Sequence, residues 1–496
     1  MTSRVKALAS SMLPVIAGAL FIPGLAPLSA WPATLFSIAA LLYLIHRPSN
    51  HSAFVTGWLY GAGLFGGGVS WVYVSINVYG QAPPPLAGAL TAAFCLGLAL
   101  LTGLQMALYR YCIGDCENPE PALFAAIWVL FEWVRSWLLT GFPWLYAGYI
   151  ALDTPAAGWA PVIGVYGLSF MIVGLSAAVG SWAFTRHSGR RSQWAATSIW
   201  ALVILMGLSL SAIQWTQDSA APVTTAIYQP NIPLEKKWNR RYFRAIQQQY
   251  INSSLPHFET VDLVLWPESA LPGYRDRIND YLNQVSAAAE ETETTLITGI
   301  PTRDEQGSYN SIIALGQGNG EYRKQKLVPF GEYVPFEDSL RGLIQFFDLP
   351  MSNFISGPDV PPILSARALR VASFICYEVV YPDFVWQGAR TSDILITVSN
   401  DSWFGHSMGP LQHLQMARFR ALETGRPLLR GTNNGVSAII DHRGEPVVTA
   451  PQFEEHVITG VVQPKTGLTP IMWLGSAPTL VFCGLFIAAA GYRRPR

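Results

Sequence analysis

The sequence predicts a polytopic α-helical membrane bundle of about eight transmembrane helices joined to a layered α/β domain. Three observations lead there. Half of the 496 residues are hydrophobic and only 13% are charged, a membrane composition. Long apolar runs broken by short polar loops fill residues 8–215, whereas 221–466 hold most of the charge. Within that second stretch, strand-like alternation and helix-like periodicity take turns. The formal net charge of zero supplies no field for polyanions, which excludes nucleic-acid binding.

Apolar stretches of about 17 to 25 residues fall at 8–26, 29–46, 54–77, 86–109, 121–140, 160–184, 194–214 and 471–492. The second is short and begins near Pro32, so a re-entrant segment is its alternative. Arg4, Lys6, Arg47, Arg110, Arg186, Arg190, Arg191, Arg493, Arg494 and Arg496 flank alternate span ends, while the loops near 27–30, 78–85 and 141–159 hold no Lys or Arg. Basic residues in short loops mark the cytoplasmic side. The large domain between the seventh and eighth spans is therefore expected on the other side, the periplasm of a bacterium, with the chain a multi-pass protein of the inner membrane. A signal peptide over 1–26 is a rival reading, but an uncleaved anchor fits the following spans better. The expected domains are a seven-span bundle at 1–218, an exported domain at 219–466, and a C-terminal span with a basic tail at 467–496.

Of five cysteines, Cys95 and Cys483 lie within expected spans and Cys112 and Cys116 beside the end of the fourth. Cys376 is left alone in the exported domain, with no partner there for a disulfide. Cys112 and Cys116 lack the second pair of a zinc site. No metal or cofactor is expected.

In the exported domain, periodicity predicts strands at 223–228, 263–266, 295–300, 311–315, 368–375, 394–398, 428–431, 436–440 and 457–461. Helices are expected over 240–253, 274–292 and 412–423, with turns at 316–320 and 442–444.

Three motifs carry chemistry-bearing groups in apolar surroundings. Glu268 ends the run Leu263-Val-Leu-Trp-Pro267, where poor solvation raises a carboxyl pKa and suits it as a base; a helix cap or loop acid is the plainer alternative. Lys324 and Lys326 share one face of a strand, so pattern alone cannot choose between them. Cys376 ends the strand 369–375, where a strand-to-turn junction can present a nucleophile, although an isolated buried cysteine is as readily a small hydrophobe.

The order and local sequence of Leu265-Trp-Pro-Glu268, Lys324 to Pro329-Phe-Gly-Glu332, and Phe374-Ile-Cys376-Tyr-Glu378 resemble the nitrilase (carbon-nitrogen hydrolase) superfamily. That resemblance implies a four-layer α-β-β-α sandwich and a Glu-Lys-Cys triad of Glu268, Lys324 and Cys376. It selects Lys324 because the lysine precedes the Phe-Gly-Glu glutamate by eight positions. Lys324 and the backbone N–H after the nucleophile, at Tyr377, would then hold an oxyanion, with Glu332 orienting Lys324 and Glu378 shaping the pocket.

Further segments are similar to one branch, the integral membrane apolipoprotein N-acyltransferases: Tyr228-Gln-Pro-Asn231, Lys237-Trp238, Asn400-Asp-Ser-Trp403, Gln412-His-Leu-Gln415, Arg426-Pro-Leu-Leu-Arg430, Gly141-Phe-Pro-Trp144 and Trp71-Val-Tyr-Val-Ser75. The resemblance implies ping-pong acyl transfer through a Cys376 thioester. The donor is a membrane phospholipid, typically phosphatidylethanolamine, and the acceptor the α-amino group of the diacylglyceryl-cysteine of an apolipoprotein. Trp144 and Trp238 are expected to line the lipid access route, although an interfacial aromatic belt would also account for Trp144. Glu132 and Arg135, three apart on one helix face, could pair inside the bundle. His406 and His413 read as local hydrogen-bonding groups, and 340–360 and 402–411 as mobile gates. A membrane-tethered amidase using water as acceptor keeps the same triad. A transporter or lipid-binding scaffold with an inactive domain is the reading from another class.

Overall fold

The structure, a computed structural model, describes residues 3–47, 51–114, 118–184, 190–333, 353–360 and 363–492. Cys116, Arg186, Arg493, Arg494, Arg496 and 340–352 of the gate expected at 340–360 lie outside them. Two compact units emerge, one of Met1–Val78, Pro83–Ile213 and Leu474–Arg496, the other of Tyr79–Ala82 and Gln214–Trp473.

The first unit is helical. Among the described residues, Pro84–Ile113, Pro155–Phe184 and Gln193–Leu210 are long and apolar enough to cross a membrane. Ala53–Gly68 and Val72–Tyr79 qualify as a pair bent by 61°, and Trp31–His46 and Ala477–Tyr492 are apolar but shorter. Within the expected span at 121–140 the regular helix ends at Arg135, and beyond it Leu139, Thr140 and Gly141 all adopt positive φ. Glu132 and Arg135 are both buried, their charges interact, and each has further partners. Glu132 Oε1 accepts from Trp128 Nε1 at 2.9 Å and from the Ala147 N–H at 2.8 Å, while the Arg135 guanidinium lies 5.1 Å from the ring centres of Phe65 and Tyr146.

The second unit is built on two sheets, of seven and six strands. The six-stranded sheet pairs Val223–Gln229, Leu263–Leu265 and Thr295–Arg303 in parallel. The seven-stranded sheet pairs Leu369–Ile375, Ile394–Ser399 and Leu428–Thr432 in parallel. Strand alternation assigns the faces. Ile227, Leu263, Leu265 and Ile312 join Val371, Ile375, Ile396 and Leu429 in the core between the sheets. Their sequence neighbours Ala226, Tyr228, Val264, Trp266 and Ile313 point the other way. There they meet Ile246, Tyr250, Leu282 and Val285 of the helices Phe243–Phe258 and Asn279–Glu291. Helices Pro382–Ala389 and Gly409–Thr424 pack on the outer face of the seven-stranded sheet, completing α-β-β-α layering. Each fully buried Leu or Ile contributes about 1.5–3 kcal/mol by leaving water, so this double-faced patterning holds the scaffold rigid under the site.

The expected strands are present to within a few residues at their ends. Helix Pro382–Ala389 and the short strands Glu321–Arg323, Leu364–Ala366 and Pro446–Thr449 are additional, being too brief to express a period.

Candidate active site

The carboxyl ends of the central strands converge on one region, the usual place for a site in such a sheet. Glu268 follows Leu263–Leu265, Cys376 follows Leu369–Ile375, and Asn400 follows Ile394–Ser399. The parallel register ends at Ile375 opposite Val398, which brings Cys376 Sγ to 3.5 Å from Ser399 Oγ.

Glu268 is buried. Its Oε1 accepts from Asn310 Nδ2 at 2.8 Å and its Oε2 from the Asn400 N–H at 2.8 Å. Burial raises its pKa, with Glu332 adding to the rise and Lys324, Asn310 and Lys237 opposing it. Close approach of the neighbouring strand depends on Gly299: a Cβ there would sit 2.7 Å from Glu268 Cα.

Lys324 is buried and Lys326 exposed, because the strand ends at Arg323 and the two no longer share a face. Lys324 Nζ lies 2.7 Å from Glu332 Oε2, whose other oxygen accepts from Asn310 Nδ2 at 2.9 Å. One asparagine amide thus donates to both carboxylates. Burial works to lower the Lys324 pKa, but the charges of Glu332 and Glu268 outweigh it and hold the ammonium above its ordinary range.

Cys376 is half-buried, with φ at +53°, a left-handed conformation that a side chain adopts at a cost. Burial and the Glu268 charge push its thiol up to about 12, against the pull of Lys324. A resting thiolate is therefore not stored in this site. Glu378 accepts from the N–H groups of Ile375, Gln325 and Lys326 at 2.8, 2.7 and 3.0 Å and from the Tyr322 hydroxyl at 2.8 Å. It ties the segment after Lys324 to the turn that presents Cys376. Tyr377 packs edge-on against Tyr381 at 5.3 Å.

Sequence reasoning missed Asn310, whose role lies in bridging residues far apart in the chain. It noted Lys237 only as part of the Lys237-Trp238 segment and gave it no role; the lysine is fully buried and donates from Nζ to the Glu268 carbonyl at 3.0 Å. Burial pushes the Lys237 pKa down to about 8, with Glu268 opposing. Trp238, at the end of the helical turn Leu234–Lys237, is half-buried. Trp144 belongs to the helical unit and is buried, its ring 5.2 Å from Trp71 and 6.0 Å from Phe142. The two membrane-half motifs that carry the resemblance therefore pack on each other.

Residues 17–179 match the apolipoprotein N-acyltransferase N-terminal domain, and residues 224–469 match the carbon-nitrogen hydrolase domain. An apolipoprotein N-acyltransferase of Pseudomonas aeruginosa is 44% identical over 96% of this chain and 94% of its own length. The chain belongs to the apolipoprotein N-acyltransferase family. The Azotobacter vinelandii member is 44% identical over 98% of this chain and 95% of its own, and the Shewanella oneidensis member 38% identical over 100% and 97%.

Proposed function

We propose that this family member transfers a fatty acyl chain from a membrane phospholipid to the α-amino group of an N-terminal diacylglyceryl-cysteine, by a ping-pong mechanism with Glu268, Lys324 and Cys376 as catalytic residues. The observation that carries the mechanism is the electrostatic coupling of buried Glu268 and Lys324 to the half-buried thiol of Cys376. Because that thiol is pushed up to about 12, its proton passes to Glu268 as sulfur attacks the ester carbonyl. The C–S bond forms and the carbonyl π pair moves onto oxygen. Lys324 Nζ and the Tyr377 N–H stabilise that oxyanion.

Collapse of the intermediate breaks the ester C–O bond. The lysophospholipid oxygen leaves with the proton from Glu268, and the acyl group remains as a Cys376 thioester. The lipoprotein amine then attacks the thioester carbonyl, Glu268 takes its proton, and collapse breaks the C–S bond, sulfur leaving as the thiol with that proton while the acyl group remains as an amide. Glu332 orients Lys324, and Glu378 shapes the turn. Both substrates keep their acyl chains in the bilayer, since withdrawing one costs about 0.8 kcal/mol per CH₂. This requirement supports an enzyme that works at the membrane, and the hydropathy and Lys/Arg pattern support the further reading of an eight-span inner-membrane protein with its catalytic domain on the periplasmic side. Phosphatidylethanolamine is the proposed donor, and Trp238 of the α/β unit and Trp144 of the helical unit are each proposed as lipid-contacting residues.

Intact-mass measurement of the purified protein incubated with phosphatidylethanolamine tests this reading. One fatty-acyl increment is expected on the wild type and none on Cys376→Ala or Glu268→Gln; an equal increment on Cys376→Ala would reject the thioester.

A further inference from the structure

Behind the Cys376 turn lies a buried polar cluster that the mechanism above does not use. His413, on the helix Gly409–Thr424, places Nε2 3.1 Å from the Cys376 carbonyl oxygen. Its Nδ1 lies 3.0 Å from Arg430 Nη2 and 3.2 Å from Asp401 Oδ1. Arg430 Nη2 also donates to Asp401 Oδ2 at 2.7 Å, and Ser399 Oγ donates to Asp401 Oδ1 at 2.5 Å while lying 3.5 Å from Cys376 Sγ. All three charged or titratable members of the cluster are buried.

The tautomer follows from the partners. A carbonyl can only accept, so Nε2 carries the hydrogen. At Nδ1, Arg430 Nη2 at 3.0 Å can only donate and Asp401 Oδ1 at 3.2 Å can only accept; the shorter contact is with Arg430, to which a neutral ring offers its Nδ1 lone pair. Burial and the Arg430 charge disfavour the imidazolium and outweigh Asp401 and the Cys376 hydrogen bond, which favour it, so the ring's pKa is lowered, in keeping with that assignment.

The Cys376 carbonyl and the Tyr377 N–H belong to one planar, trans peptide unit, so they point in opposite directions. A donor that fixes the carbonyl on one side fixes the N–H on the other. We infer that His413 is a positioning residue which, through its Nε2–H bond to the Cys376 carbonyl, aims the Tyr377 N–H at the oxyanion and holds the left-handed Cys376 backbone in place. The cluster of Asp401 and Arg430 keeps the imidazole in the donating tautomer. This rests on the acyl-transfer reading, in which that N–H is an oxyanion donor.

Two polar variants separate the role from mere packing. His413→Gln extends an amide N–H to about the position of Nε2; His413→Asn keeps a polar atom near Asp401 and Arg430 but falls short of Cys376. Wild type and both variants are given phosphatidylethanolamine in detergent, and three quantities are read: the rate of thioester formation at saturating lipid, the KM for lipid, and the rate of Cys376 alkylation by iodoacetamide. Removing an oxyanion donor costs about 10²–10³-fold, and mis-aiming one is expected to cost the Asn variant about 10–100-fold. KM and alkylation should stay within about twofold, and Gln should recover at least half of the loss on a logarithmic scale. Wild-type acylation in the Asn variant, equal losses in Asn and Gln, or a parallel loss of alkylation would overturn the inference. Absence of a thioester on the wild type would instead remove the reading on which it rests.

Discussion

Lys324 Nζ lies 2.7 Å from Glu332 Oε2, with the lysine side chain 1% exposed and the glutamate 10%. Two charges this far from water stabilise each other only while both are present. Glu332→Ala is expected to destabilise the protein by about 3–5 kcal/mol, because an uncompensated ammonium remains buried. Glu332→Gln should fold better yet lose acylation rate, since Lys324 loses its anchor. Thermal unfolding and thioester formation, measured on both, check the pair of outcomes.

Lys324→Ala should reduce thioester formation by at least about 100-fold, as expected for loss of a principal oxyanion donor. Lys326→Ala should stay within about twofold, because Lys326 is exposed. A comparable loss in both variants would reject the assignment of the lysine role.

Gly299 allows the Glu268 backbone to approach its strand. A Cβ would meet Glu268 Cα and the Pro267 carbonyl oxygen at 2.7 Å each, and both belong to the backbone, which cannot swing aside. Gly299→Ala is predicted to cost at least about 1–3 kcal/mol in stability and to lower acylation by displacing the base. A variant with unchanged unfolding and unchanged rate would show that the strand yields freely.

Lys237 supplies a positive charge beside Glu268. Removing it with Lys237→Met raises the Glu268 pKa further, since a nearby cation favours the carboxylate. The base form exists above that pKa and is lost as pH falls through it. The acidic limb of the acylation rate should therefore move to higher pH in the variant, by up to about one unit, giving as much as a tenfold loss on that limb. A limb that stays in place, or moves to lower pH, would contradict this role.

The parts of the fold that the sequence made legible are those with a period. Leu263 and Leu265 face one core and Val264 and Trp266 the other, and a run this apolar reads as a doubly buried strand. The candidate triad was legible only through the family resemblance, which each member's motif carries in its distinctive local order. Asn310 and Lys237 were not, because their importance comes from contacts across 42 and 31 residues that no local pattern encodes. The choice between Lys324 and Lys326 needed either the family resemblance or the knowledge that the strand stops at Arg323. His413 was read correctly as a hydrogen-bonding group, but its partner at the Cys376 carbonyl lies 37 residues away. The helical unit was hardest to read in detail. Hydropathy gives a span at 121–140 but neither the end of its regular helix at Arg135 nor the positive φ of Leu139, Thr140 and Gly141 beyond it.

The fate of the acyl group tests the central claim most directly. Wild-type protein loaded with acyl chain from phosphatidylethanolamine, freed of excess lipid and then mixed with a synthetic diacylglyceryl-cysteine peptide, should lose the thioester mass as one equivalent of N-acylated peptide forms. Loss of the thioester at the same rate with or without peptide, with free fatty acid as the product, would contradict the account and make the protein a hydrolase.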